Sequence, residues 1–216
     1  MRRALLLLAG LTACGERPPA GPDPFDKGNL DVPRRWLGEG ADRWTAGLAS
    51  PVAAERALAL WALGDLGARD AELAAAVRRG LQDPDGGVRL AALHALARRG
   101  LPPGVGPAGY VPGVLAALDA PEAGLRAAAR EALGELGAEV VGPLVDRLEA
   151  ADERTRWNAA AGLLRAGDAA EPATDALVAA LAVEPDAATA DEMALALARL
   201  GSAGPAALVR LLDGGD

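Results

Sequence analysis

Side chains able to do covalent or metal chemistry are few in this 216-residue chain, and they are scattered. There is one cysteine, Cys14, one histidine, His94, and two serines, Ser50 and Ser202. One imidazole cannot build a two-histidine metal site. A serine–histidine–acid relay would have to join His94 to a serine beside a helix end, where capping is the commoner use of a hydroxyl. Asp83 and Asp85 flank Pro84 at a helix start, a place for caps rather than for calcium. The glycines recur at regular intervals as helix stops and form no phosphate loop. These residues predict a non-enzymatic protein with no catalytic group, no metal and no bound cofactor.

Cys14 has another use, set by its neighbours. Met1-Arg2-Arg3 is a short basic start, and Ala4 to Leu11 reads "ALLLLAGL". That apolar run is far too short to cross about 30 Å of hydrocarbon as a helix. A basic start, a short apolar stretch and small residues before a cut site describe a secretory signal peptide. "LTAC", Leu11 to Cys14, resembles the lipobox of bacterial lipoproteins. The resemblance implies removal of residues 1–13 and a covalent diacylglycerol or acyl lipid on the Cys14 thiol. It also implies a membrane anchor and a place in the cell envelope, with the rest of the chain outside the cytoplasm. Gly15, where enteric lipoproteins retained at the inner membrane carry Asp, points to the outer membrane of a two-membrane cell. Residues 14–33 are rich in proline and glycine and poor in apolar groups, so they read as a disordered tether.

The elements that would carry any surface chemistry come from a repeat. "PVAAERALALWALGDLG" (51–67), "PDGGVRLAALHALARRG" (84–100), "PEAGLRAAAREALGELG" (121–137), "ADERTRWNAAAGLLRAG" (151–167) and "PDAATADEMALALARLG" (185–201) align without a gap. Position one is Pro51, Pro84, Pro121 and Pro185, with Ala151 the exception. Position six is Arg56, Arg89, Arg126 and Arg156, with Ala190 the exception. A compact residue follows at Ala59, Ala92, Ala129, Ala159 and Met193. Then come Leu63, Leu96, Leu133, Leu163 and Leu197, and every unit closes on glycine.

Proline suits a first turn, with Ser50 and Asp83 ahead of it as expected caps. The Ala and Leu positions form one helical stripe. The glycine supplies the left-handed residue that ends a helix. A second apolar pattern at Val77/Leu81, Val114/Leu118, Leu144/Leu148, Leu177/Leu181 and Leu208/Leu212 predicts a partner helix in each unit. Aromatics make up 3% of the chain and strand-forming runs are missing, so alanine and leucine must fill a helical core. The expected fold is an all-α solenoid of about five helical hairpins over residues 50–216, with residues 34–49 as a capping helix. The pattern resembles HEAT repeats, and in particular the short HEAT-like repeats also found in phycobilisome lyases.

Surface positions are what remain for function. Five residues after the arginine, Trp61, His94, Glu131, Ala161 and Leu195 point away from the core stripe, with Leu90 and Trp157 nearby. Large apolar groups on a polar face can mark a partner site. For Trp61 the alternative is a seat for segment 34–49, and for Trp157 a single exposed ring without consequence. On the second helices, Arg79, Ala116, Asp146, Ala179 and Arg210 lie opposite the apolar pairs. The HEAT resemblance implies that second helices line the binding groove, while solvated charge is the plainer reading of this row. The net charge of −8 gives no electrostatic reason to seek a phosphate backbone, so nucleic acid is not an expected partner. The leading expectation is a monomeric, membrane-anchored scaffold that docks an unidentified envelope protein. A lyase-like or enzyme-accessory protein and a structural envelope spacer are the alternatives.

Overall fold

The structure is a computed structural model, and it describes residues 41–66, 71–101 and 104–213. Cys14, the signal peptide, the tether, residues 34–40 of the capping segment and Gly67 lie outside the described residues. Residues 41–216 make one compact unit. After α1 (Ala41–Gly47) come the hairpins α2 (Ala53–Leu66) with α3 (Ala71–Gly80), and α4 (Gly86–Arg99) with α5 (Val111–Leu118). Three more follow: α6 (Ala123–Leu133) with α7 (Val141–Arg147), α8 (Glu153–Ala166) with α9 (Thr174–Val183), and α10 (Ala187–Arg199) with α11 (Ala203–Leu212).

The first helices pack on one another in sequence, α2 on α4, α4 on α6, α6 on α8 and α8 on α10. The alanine–leucine stripe makes this possible. Ala59, Ala92, Ala129, Ala159 and Met193 are fully buried, and so are the leucines from Leu63 to Leu197 at the next position of the stripe. Alanine lets neighbouring backbones approach, while each leucine adds about 1.5–3 kcal/mol of burial. The second helices close the other side of the core through Val77, Leu81, Val114, Leu118, Leu144, Leu148 and Leu177. Leu181 and Leu208 are only half-buried. Trp44 of α1 is buried, and α1 packs against α2.

The helix starts fall two residues later than the prolines suggest. Pro84, Pro121 and Pro185 stand just ahead of the cap, outside the first turn, and the residue after them takes the cap position. Asp85, Asp152 and Asp186 accept from the backbone N–H of Val88, Thr155 and Thr189, at 3.1, 2.9 and 2.7 Å. Proline fits there because it sets the extended entry and needs no N–H partner. Asp83 is therefore not a cap. Ser202 occupies the cap position of α11 but makes no side-chain cap bond, whereas Ser50 accepts from the Val52 N–H at 3.1 Å and donates to Glu55. At the other end of the units, Gly100, Gly137, Gly167 and Gly201 all have φ between 46° and 68°. A side chain would be strained in that region.

Between α4 and α5 the chain makes a short 3₁₀ turn at Pro107–Gly109. Tyr110 then plugs back into the stack, 2% exposed, its hydroxyl donating to the Ala74 carbonyl of α3 at 3.0 Å. Burial pushes its hydroxyl pKa up. No described helix is long and apolar enough to cross a membrane.

Candidate functional site

The arginine at position six is a device repeated four times. In each copy Nη1 donates to two carbonyls of the turn before its own helix. Arg56 bonds Ser50 and Pro51 at 3.0 and 3.1 Å, and Arg89 bonds Asp83 and Pro84, both at 2.9 Å. Arg126 bonds Ala120 and Pro121 at 2.8 and 2.6 Å, and Arg156 bonds Ala150 and Ala151 at 2.9 and 3.0 Å. These bonds hold the guanidinium through Nη1 and leave its Nε–Nη2 edge for other partners.

That edge meets different neighbours at different junctions. Arg56 grips Asp83 of the second repeat with both N–O distances 2.8 Å. Arg156 grips Glu184 of the fifth at 2.7 and 2.8 Å. Such bidentate pairs are the strong form of a charge-assisted bond. Each carboxylate also accepts the backbone N–H of the next cap, Asp85 or Asp186, at 3.0 Å. The arginine bond is the main cause holding Asp83 and Glu184 below the usual carboxylate range. At the corresponding place ahead of repeats three and four stand Ala120 and Ala150. Arg89 and Arg126 therefore have no carboxylate across from their outer edge among the described residues.

Beside Arg89 lies an open hollow of 540 Å³, between the turn that follows α3 and the second hairpin with the turn after α5. Gly113, Ala116, Ala117, Ala120 and Pro121 form its small-residue wall. A Cβ on Gly113 would lie 2.6 Å from that of Leu81, so only glycine permits this approach of α5 to the end of α3. Two carboxylates border the hollow, and both are engaged. Asp83 is held by Arg56, and Asp119 pairs with Arg147 at 3.3 Å.

All five positions of the second-helix row, Arg79, Ala116, Asp146, Ala179 and Arg210, are exposed. Of these the hollow includes Ala116 alone. On the first helices, Trp61 and His94 stack on each other across the first junction, ring centroids 4.7 Å apart. Trp157 lies under the Arg130 guanidinium at 5.0 Å, and Arg130 also donates to Asn158 at 3.1 Å. Asn158 is itself buried and donates to the Leu118 carbonyl at 3.0 Å, so this set ties three repeats together. Burial is the main cause lowering the Arg130 pKa and raising that of Glu192 nearby. Glu131 is exposed and Leu195 half-buried, but Ala161 and Leu90 are buried. These two do not reach the polar face, because a first helix packed between two neighbours covers its shorter side chains.

Sequence reasoning took the arginine as a repeat marker and missed the clamp. The signal was the residue ahead of each proline position, acidic at 83 and 184 and alanine at 120 and 150. Among the described residues no group of three or more His, Cys, Asp or Glu side chains could hold a metal ion.

Comparison with known proteins agrees with this architecture. A family model for HEAT repeats matches residues 41–107. The crystal structure of an engineered protein aligns with a TM-score of 0.50 at 19% identity, covering 81% of this chain and 85% of its own. A designed armadillo repeat protein aligns with a TM-score of 0.47 at 17% identity, covering 79% and 87%. Comparison with curated protein sequences gives no match. Over the described residues the chain is an all-α solenoid of helical hairpins, HEAT-like in the matched residues 41–107.

Proposed function

We propose that this protein is a lipid-anchored, non-enzymatic scaffold of the bacterial cell envelope. It docks another protein in the hollow lined by α5 and the turns after α3 and α5. The observation that carries the reading is the open hollow beside Ala116. The small side chains that line it leave room for another chain. The "LTAC" motif supports the anchor, with Cys14 as the lipidated residue and the Pro/Gly-rich segment 14–33 as the tether. Holding the solenoid at a membrane raises its effective concentration near membrane-bound partners, so a modest contact suffices.

The test places a photo-crosslinking amino acid at Ala116 and, as a comparison, at Ala179, in intact cells. A discrete partner captured from position 116 and not from 179 is expected. Equal, diffuse labelling from both positions would sink the docking site. Metabolic labelling with a fatty acid checks the anchor. Cys14→Ser should give an uncut, unlabelled precursor, and normal maturation of that variant would overturn the anchor.

A further inference from the structure

We infer that the hollow beside Arg89, between the turn that follows α3 and the second hairpin, binds the carboxylate of a Glu or Asp side chain in a partner protein. It does so through Nε and Nη2 of Arg89. This deepens the scaffold reading and rests on it for the partner's existence. The argument is internal to the repeat. One arginine, held by the same pair of carbonyls, occurs four times, and in two copies its outer edge carries a carboxylate bidentately. The protein itself thus shows which ligand this edge takes. At Arg89 the residue that would supply it is Ala120, and the space is open to solvent as part of the hollow.

Charge around the hollow favours the same ligand. Asp83 is paired with Arg56 and Asp119 with Arg147; the Arg89 charge also acts on Asp83, but Arg89 is the cation there whose outer edge has no described hydrogen-bond partner. Arg89 is half-buried, and its guanidinium is already oriented by the Asp83 and Pro84 carbonyls. Binding therefore orders little of it, and its planar fork matches a carboxylate with two parallel bonds. The wall of Gly113, Ala116, Ala117 and Ala120 admits the backbone that would bring such a side chain in. Arg126 has the same alanine opposite, at Ala150, but Arg89 is the copy that faces the described hollow.

The experiment uses the full chain with ¹⁵N-labelled arginine and follows the Nε–H resonances of Arg56, Arg89 and Arg156. The probes are an acetylated, amidated Ala-Glu-Ala peptide and its Ala-Gln-Ala counterpart. Arg89 should move on adding the glutamate peptide, with Arg56 and Arg156 still, since their edges are occupied. Loss of the charged, bidentate bond should weaken the glutamine peptide roughly tenfold or more. Ala120→Asp supplies the carboxylate from within the chain and keeps both Arg89 carbonyl bonds, so it should fold normally and no longer respond to the peptide. A still Arg89 resonance, equal binding of the two peptides, or undiminished binding by Ala120→Asp would each overturn the inference. Response only after deletion of residues 14–33 would assign the edge to the chain's own tether and overturn the partner. Crosslinking through position 116 separates the two readings. A partner captured equally by wild type and Ala120→Asp keeps the scaffold and removes the carboxylate site. An Arg89 response to the glutamate peptide with no captured partner supports the site and removes the scaffold.

Discussion

The junction between the first and second hairpins and the junction between the second and third use the same arginine in different ways. At the first, Arg56 reaches forward and closes on Asp83. At the second, Arg89 holds the carbonyls behind it and lines a hollow together with Ala120. The arginine therefore does two separable jobs. It caps the turn before its own helix everywhere, and it clamps the next repeat only where the following turn supplies an acid. A repeat protein can open one junction by a single substitution in a turn, with no change to the layer of helices beneath.

The largest effect should come from the core that both kinds of junction share. Leu163 is fully buried at the repeated leucine position, and Leu163→Ala should cost about 2–5 kcal/mol. Chemical denaturation measures this loss. A cost well under 1 kcal/mol would mean that the polar turns, and not the stripe, hold the stack.

The clamp itself is exposed by comparing Arg56→Met with Arg89→Met. Both lose two bonds to carbonyls, but only the first strands a carboxylate, Asp83, in a turn where it is 12% exposed. Arg56→Met should lower the melting temperature more than Arg89→Met, and equal losses would show that the clamp adds nothing. The difference should also depend on pH. Arg56 holds the Asp83 pKa below the usual range, so its stabilisation is fully present above the unfolded value of about 4. It is lost as the pH falls through the lower folded value. The two variants should therefore converge in acid, and a gap that persists there would locate it outside the Arg56–Asp83 pair.

The smallest effect is a gain. Ala120→Asp should close the open junction as Asp83 closes the first, adding at most about 1 kcal/mol because the pair remains partly solvated. Thermal unfolding reads this directly. A clear loss of stability would show that Arg89 cannot adopt the clamp used by Arg56.

Much of this architecture was readable along the chain. Alanine and leucine at helical spacing must be buried together, and glycine at the unit ends takes the positive φ that other residues avoid. The helix starts were misplaced by two residues because proline fits both the first turn and the residue before the cap. Only the backbone distinguishes these, and with it Asp83 passed from cap to clamp. The five exposed positions of the second helices followed from periodicity alone. The hollow beside Ala116 did not, since its walls come from two hairpins and its depth depends on Gly113 meeting Leu81.

Composition and periodicity by themselves determined the class of fold, the repeat and its buried stripe, because these depend on residues three or four apart on one helix. Tertiary structure decided which arginine edges are filled, which tryptophan meets His94 or Arg130, and where the stack is open. Those contacts join side chains about 27 to 40 positions apart. A pairing across that distance depends on how one hairpin is set against the next, and no local pattern carries that geometry.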